Sequence, residues 1–92
     1  MPAFSAAEVA FHLCALPDWK VDAGELARTF LFENFRAALR FVNQVAELAE
    51  EAGHHPDIDI RYNRVRLGLA THDTGGLTAK DFDLAAHIDK LR

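Results

Sequence analysis

Hydrophobic and polar positions along the chain switch between a helical and a strand-like period, which divides it into short elements. Near the start, a helical repeat predicts a helix from about Ala6 to Ala15. Ser5 and Glu8 have the spacing of a capping box at its start, and Pro17 ends it. The apolar positions of this repeat are Val9, Phe11, Leu13 and Leu16.

A first pair of strands is predicted directly after this helix. Trp19 and Val21 fall on alternate positions of a short strand, and Asp22-Ala-Gly24 is typical of a turn. The segment from Glu25 to Phe32 is rich in apolar and β-branched residues. We therefore expect an antiparallel hairpin, with Leu26, Phe30 and Phe32 on one face of its second strand.

The most regular helical pattern runs from Phe35 to Ala52. Asn34 is suited to cap its start, and Gly53 is suited to the left-handed position just after its end. A second apolar stripe on this helix is open to two interpretations, as core or as a subunit interface. That stripe comprises Phe41, Val45, Leu48 and Ala52.

A second hairpin and a last helix follow. Ile58, Ile60 and Tyr62 alternate with charged residues, which predicts a half-buried strand with Tyr62 in the core or in a pocket wall. Asn63-Arg64 is the expected turn, and alternation from Val65 to Thr71 predicts the next strand. Thr78 and Asp81 form another capping box before a helical repeat that ends at Leu91.

The element order α-β-β-α-β-β-α predicts a single α+β domain over residues 1–92. The simplest arrangement is a four-stranded antiparallel sheet with the helices packed on one face. The other face of the sheet would be partly open, and a ligand or a second subunit could lie there.

Composition and charge exclude several classes of protein. The chain has 92 residues and a net charge of −4, which does not favour nucleic-acid binding. Cys14 is its one cysteine, so an internal disulfide is excluded, and we expect this side chain to be buried. The chain has no apolar run that would span a membrane and no signal peptide, so the expected location is the cytoplasm.

Histidines carry the chemistry that the sequence suggests. His54 and His55 follow the long helix and precede Pro56, while His72 ends the last strand. Both segments lie far from the hairpin turn, so the three rings are expected to approach one another, with Glu50 one helical turn away. Two close imidazoles, with an ordinary pKa of about 6.5, suit proton transfer near neutral pH.

The same strand suggests where a ligand lies. Small side chains at Gly68 and Ala70, on the strand face that His72 shares, would leave room for a flat ring.

The spacing of these residues resembles the signature of the pterin-4a-carbinolamine dehydratases. An acidic residue precedes a His-His-Pro, followed at fixed intervals by an aromatic residue, a histidine and an aspartate. In this chain the signature comprises Glu50, His54, His55, Pro56, Tyr62, His72 and Asp81.

The resemblance implies dehydration of a 4a-hydroxytetrahydropterin to the quinonoid dihydropterin, in support of tetrahydrobiopterin recycling, with no metal and no other cofactor. It implies that His54, His55 and His72 are catalytic, with His55 or His54 protonating the leaving hydroxyl. Substrate-binding or orienting roles would fall to Glu50, Ala70, Thr71 and Trp19. The family commonly forms homodimers and homotetramers.

Other interpretations of the site residues remain open. His54 and His55 could simply face the helix C-terminus, or could bind zinc together with His72. Glu50 could be a solvated helix residue with Glu51 in its place, and Asp81 is most simply a helix cap. Trp19 is expected in the core more than at the ligand.

A different function on the same fold is the main alternative. Relatives of this family act as dimerisation partners of transcription factors or resemble assembly factors for a carbon-fixing enzyme. A scaffold of this kind has no need of three converging imidazoles, so the histidines favour an enzyme.

Overall fold

The computed structural model describes residues 2–71 and 75–91, so His72 lies outside the described residues. The element order is α-β-β-α-β-β-α, as predicted, and the fold is α+β. The elements are α1 (Ala6–Leu13), β1 (Lys20–Asp22), β2 (Glu25–Leu31), α2 (Phe35–Ala52), β3 (Asp57–Arg61), β4 (Arg64–Leu69) and α3 (Ala79–Asp89).

The strands form one antiparallel sheet in the order β1-β2-β4-β3. The central strands β2 and β4 each bury alternate side chains against the helices, as the period of two requires. Residues such as Phe30 and Leu67 meet Phe41 and Val45 of α2 and Ile88 of α3 in one core. The helices therefore lie on one face of the sheet, as expected.

Each hairpin has a two-residue loop. In the first, Ala23 and Gly24 both have positive φ angles, of 52° and 81°, which suits the twist of a tight hairpin. In the second, Arg61 pairs with Arg64, so the loop is Tyr62-Asn63, one residue earlier than predicted.

The position of Tyr62 in this loop overturns its expected place in the core, and its alternative place in a pocket wall stays a prediction. Its φ angle is 53°, and 65% of its surface is exposed. The alternation that placed Tyr62 beside Ile58 and Ile60 holds only along a strand, and Tyr62 has already left β3.

Strand β3 is less buried than its pattern predicted. Ile58 and Ile60 are 38% and 37% exposed, and the other residues of β3 are exposed as well. The strand lies at the edge of the sheet, next to β4 alone. Its apolar side therefore gains little cover from the helices.

Helix α1 packs loosely at the margin of the core. The capping box at its start is present, since the backbone N–H of Glu8 donates to the Ser5 hydroxyl and that of Ser5 donates to Glu8. None of its residues is buried. The helix ends at Leu13, and Cys14 is exposed, so the expectation of a buried cysteine was wrong.

Candidate functional site

The end of α2 determines where the two adjacent histidines point. Gly53 takes the left-handed conformation (φ 62°), and the backbone N–H of His54 donates to the carbonyl of Ala49 at 3.1 Å. This closes the helix and starts the segment that leads into β3. His54 and His55 then lie on opposite sides of the chain, one covered and one in solvent.

His54 pairs with a buried carboxylate. Its Nε2 lies 2.6 Å from Oδ1 of Asp81, and the His54 side chain is 12% exposed while that of Asp81 is fully buried. The second oxygen of Asp81 accepts hydrogen bonds from the Thr71 hydroxyl at 2.8 Å and from the Thr78 backbone N–H at 3.0 Å. Asp81 therefore caps α3, as the sequence predicted, and also holds the His54 ring.

This contact determines which nitrogen of His54 can exchange a proton with a ligand. When Asp81 is ionised, its carboxylate only accepts hydrogen bonds, and Nε2 of His54 then carries the proton of this contact. Nδ1 is then the nitrogen suited to exchange a proton with another group. The buried carboxylate fixes the orientation of the ring, as a positioning group does.

His55 also has a carboxylate partner, but this pair is exposed to solvent whereas the His54–Asp81 pair is buried. Its Nε2 lies 2.5 Å from Oε2 of Glu50, and the two side chains are 64% and 74% exposed. The neighbouring Glu51 lies elsewhere, in a shallow cleft between α2 and α3 beside Leu48 and His87. Glu50 is therefore the acidic residue that accompanies the histidines, and the exposed pair can exchange protons with a molecule from solvent.

The strand end that precedes His72 meets His54 through Asp81. Thr71 is buried, and its hydroxyl contacts both Asp81 and the hydroxyl of Thr78. Its backbone N–H donates to Gly76, and its carbonyl accepts from Gly75. Both backbone groups of Thr71 thus have partners in the loop that follows. The expected backbone contact of Ala70 and Thr71 with a ligand stays a prediction.

A cleft of about 370 Å³ opens beside this strand end. It lies between the tip of the first hairpin and the loop that follows β4. Its walls are formed by Ala23, Gly24, Glu25, Ala70, Thr71, Gly75 and Gly76. The cleft places a free volume next to the Thr71–Asp81–His54 chain of hydrogen bonds.

The space above Gly68 is not available to a ligand, contrary to the expectation from its small size. A Cβ at Gly68 would lie 2.6 Å from Oε1 of Glu25, because the carboxyl group of Glu25 lies directly over this glycine. No pattern in the sequence indicated this position of Glu25. The signal is non-local, since it depends on the register that brings β2 beside β4.

A charged cluster surrounds Glu25 on this face of the sheet. Arg66 lies 3.3 Å from both Glu25 and Asp22. The carboxyl of Asp57 hydrogen-bonds to that of Glu25 and, together with burial, raises the pKa of Glu25 above its ordinary value. Burial opposes the charged form of Arg66, but its two acidic partners outweigh burial and raise the pKa of the guanidinium.

Trp19 lies in the core, as its more favoured interpretation held. It is 4% exposed and packs edge-on against Phe30, and its indole N–H donates to Asp89 at 2.8 Å. Asp89 lies eight residues beyond Asp81 on α3, which is about 12 Å along a helix. The structure therefore does not bring Trp19 to the two histidines.

Two other residues of the signature flank β3. Pro56 is half-buried and directly precedes the strand, beside the histidines. Tyr62 follows the far end, roughly 20 Å away for six residues of extended chain. Of this pair, only Pro56 lies next to the histidines in the chain.

The described residues contain neither a cluster of metal-binding side chains nor a membrane-spanning helix. Within residues 2–71 and 75–91, no three side chains of the metal-binding types lie together. The zinc alternative needs His72 as its third ligand, and His72 is outside these ranges. No helix in the same ranges is long and apolar enough to cross a membrane.

Comparison with known proteins places this geometry in a family. A family model described as Pterin 4 alpha carbinolamine dehydratase matches residues 2–91. The chain belongs to this family. A relative from Chloroflexus aurantiacus, named provisionally as a pterin-4-alpha-carbinolamine dehydratase, is 63% identical over 91 residues, covering 99% of this chain and 98% of the relative. One from Acidobacterium capsulatum, named in the same way, is 66% identical over 80 residues, covering 87% of each chain.

Solved structures agree with membership of the dehydratase family. The crystal structure of a transcriptional coactivator/pterin dehydratase from Brucella melitensis has a TM-score of 0.92 and 33% identity, covering 97% of each chain. A pterin dehydratase-like protein identified as a RuBisCO assembly factor in the alpha-carboxysome has a TM-score of 0.65 and 24% identity, over 79% of this chain and 84% of that chain. The second likeness shows the shared fold alone.

Proposed function

We propose that this protein dehydrates a 4a-hydroxytetrahydropterin to the quinonoid dihydropterin by histidine acid–base catalysis. The observation that carries the proposal is the pair of consecutive histidines, each bonded to its own carboxylate, at the positions that the dehydratase signature requires. In this reaction the C4a–O bond breaks and the hydroxyl leaves as water after protonation. N5 loses its proton, and a C4a=N5 double bond forms. One acid and one base are therefore needed.

The two environments suggest how the roles divide. His55 is exposed and bonded to Glu50, so it is suited to deliver a proton to the leaving hydroxyl and to be recharged from solvent. His54 is held by Asp81, so it is suited to a fixed role against the ring through Nδ1. The family resemblance supports His72 as the group that removes the N5 proton, and the fixed ring of His54 is the alternative base.

We also propose the setting of the reaction. The family resemblance supports a place in tetrahydrobiopterin recycling in the cytoplasm, with a homodimer or homotetramer as the working form. The partly exposed Ile58 and Ile60 on edge strand β3 support an oligomer, because a second subunit would remove them from water.

The test is a dehydration assay. An aromatic amino-acid hydroxylase generates the 4a-hydroxytetrahydropterin in place, and absorbance follows its loss after subtraction of the uncatalysed rate. Addition of the protein should accelerate the reaction, and His55→Ala should remove the acceleration. His87→Ala is the matched control, because His87 is exposed on α3 and the carboxylate partners of His54 and His55 are Asp81 and Glu50.

A failure of this assay would favour the second candidate, a non-catalytic protein-interaction role. The name of the Brucella relative, which joins coactivator and dehydratase, is the observation that supports it. Folded protein that gives no acceleration with any pterin would contradict the enzymatic proposal and direct the search to protein partners.

A further inference from the structure

We infer that Glu25 recognises the pterin, by accepting hydrogen bonds from the 2-amino group and the neighbouring N3–H of its pyrimidine ring. The inference rests on the proposed function, since it names the group that would bind the same substrate. It gives a role to a residue that lies outside the histidine signature and on a different part of the chain.

The first support is the position of Glu25 in the cleft beside Ala70. Glu25 is the one charged side chain among the described residues that line this cleft. Leu26 pairs with Leu69, and continuing this register by one residue places Glu25 opposite Ala70. Because Leu26 faces the core, Glu25 points to the face of the sheet without helices.

The second support is that a histidine is expected on the other side of Ala70. Asp57 pairs with Gly68 across β3 and β4. The observed pairs end there, and an extension of the same register by two residues would bring the backbone of His55 opposite Ala70. Glu25 and His55 would then stand on either side of β4, about 10 Å apart at the backbone for two strand spacings. Ala70, whose side chain is small, lies between them as the floor for a flat ring.

The hydrogen-bonding groups of the substrate match the sequence of Glu25, Ala70 and His55 across the sheet. The 2-amino group and N3–H are adjacent donors in the plane of the ring, and a carboxylate is the acceptor that binds two parallel donors best. The reacting atoms C4a and N5 lie away from that edge, toward the fusion of the rings. A pterin bound to Glu25 over Ala70 would therefore present its reacting atoms toward His55.

The third support is that the Glu25 carboxyl group is held in place before any ligand arrives. Arg66 of β4 donates to its Oε1 at 3.3 Å, and Asp22 of β1 shares this guanidinium. Gly68 lets the carboxyl group lie flat on the strand, where a Cβ would collide with it. Such positioning reduces the entropy lost on binding.

Asp57 of β3 completes the surroundings of Glu25. Its carboxyl hydrogen-bonds to Glu25 and raises the pKa of Glu25, so Glu25 holds a proton more readily than an isolated glutamate would. Recognition needs an ionised Glu25, and pterin binding should therefore weaken as the pH falls toward that raised pKa.

The test compares two stable ligands that differ at one position. Fluorescence titration measures the Kd of biopterin and of its 2-oxo counterpart, a lumazine, which lacks the amino donor. The wild-type protein should bind biopterin about 10- to 100-fold more tightly, as a hydrogen bond to a charged acceptor implies. Glu25→Gln should reduce this ratio to below about 3-fold.

Two control variants separate recognition from loss of charge. Asp57→Asn removes the carboxyl that raises the pKa of Glu25 but leaves Glu25 in place, so the ratio should persist at neutral pH and extend to lower pH than in the wild type. Glu47→Gln removes an exposed carboxyl from α2 and should also leave the ratio unchanged. Glu25→Asp, which keeps the charge but withdraws it by one methylene, should give an intermediate ratio.

The outcomes are distinguishable from those of the dehydration assay. Equal affinity of the wild-type protein for the two ligands would overturn the inference, and so would an unchanged ratio in folded Glu25→Gln. Either result can occur while the protein still accelerates dehydration, in which case the proposed function stands. Ligand discrimination without acceleration would leave Glu25 as the recognition residue of a pterin-binding protein.

Discussion

His54 and His55 are neighbours in the chain with the same kind of partner and opposite surroundings. The Asp81 carboxylate that holds His54 is fully buried, shared with Thr71 and Thr78, and part of the start of α3. The Glu50 carboxylate that meets His55 is mostly in solvent. Buried charges cost stability when a partner is lost, whereas exposed pairs contribute little. We therefore expect the buried His54–Asp81 pair to contribute both to the stability of the fold and to the candidate site. The exposed His55–Glu50 pair should contribute to the candidate site alone.

The largest expected effect comes from breaking the buried pair. Asp81→Asn replaces two acceptor oxygens with one and removes the charge that His54, Thr71 and the helix start share. We expect a loss of about 2–4 kcal/mol in the free energy of unfolding. Thermal denaturation measures it, with Glu50→Gln as the matched change in the exposed pair, expected to cost less than about 0.5 kcal/mol. Equal costs for the two variants would contradict the comparison.

Activity should separate the two histidines in a different way. His55→Ala should reduce the dehydration rate at least about 100-fold, as loss of an acid–base group does, with a melting temperature close to that of the wild type. His54→Ala should reduce both the rate and the melting temperature, because it leaves Asp81 buried without its partner. His72→Ala should also cost at least about 100-fold in rate. Unchanged kinetics in His55→Ala and His72→Ala would exclude the proposed reaction.

A smaller effect on stability is expected at the two carboxyls beside the cleft, Glu25 and Asp57. This pair joins two acidic groups, whereas each histidine pair joins a base and an acid. The pKa of Glu25 is raised in the folded protein, so its ionisation disfavours the fold as pH rises from the ordinary value of 4.5 through the raised one. Asp57→Asn removes the neighbouring carboxyl that makes ionisation of Glu25 unfavourable in the folded protein. It should raise the melting temperature at pH 7 by about 1–4 °C, and the gain should vanish at lower pH, where Glu25 of the wild-type protein is protonated. A gain independent of pH would contradict this account.

No effect is expected from metal removal. The acid–base interpretation of both histidine pairs requires no metal, so incubation with a chelator should leave the dehydration rate unchanged. The measurement is the same assay before and after chelation, followed by addition of zinc. Inactivation that zinc reverses would replace the interpretation of the histidine pairs with a zinc site.

Local features of the fold were predictable because their causes lie within a few residues. The capping boxes at Ser5–Glu8 and Thr78–Asp81 and the left-handed Gly53 are such features, and all three are confirmed. The element order follows from the same local periods. Cys14 and Tyr62 were misplaced because their burial depends on where an element ends.

The candidate site was predictable only in part, because some of its contacts join residues that are distant in the chain. Fixed spacing placed Glu50 and Asp81 in one signature with the histidines, but it left Glu50 open as a solvated residue and favoured Asp81 as a helix cap. The division into one buried and one exposed pair depends on packing against α3. The Glu25 carboxyl over Gly68 depends on strand register across three strands, which no local pattern contains.

The double duty of Asp81 couples the integrity of the site to one turn of helix. The first turn of α3 cannot fray without releasing the ring of His54, so local opening there and disassembly of the site are the same event. Amide hydrogen exchange at Thr78, whose N–H donates to Asp81, would report that event directly. A ligand that binds against His54 should slow exchange at this amide, although it lies beneath the site and need not touch the ligand.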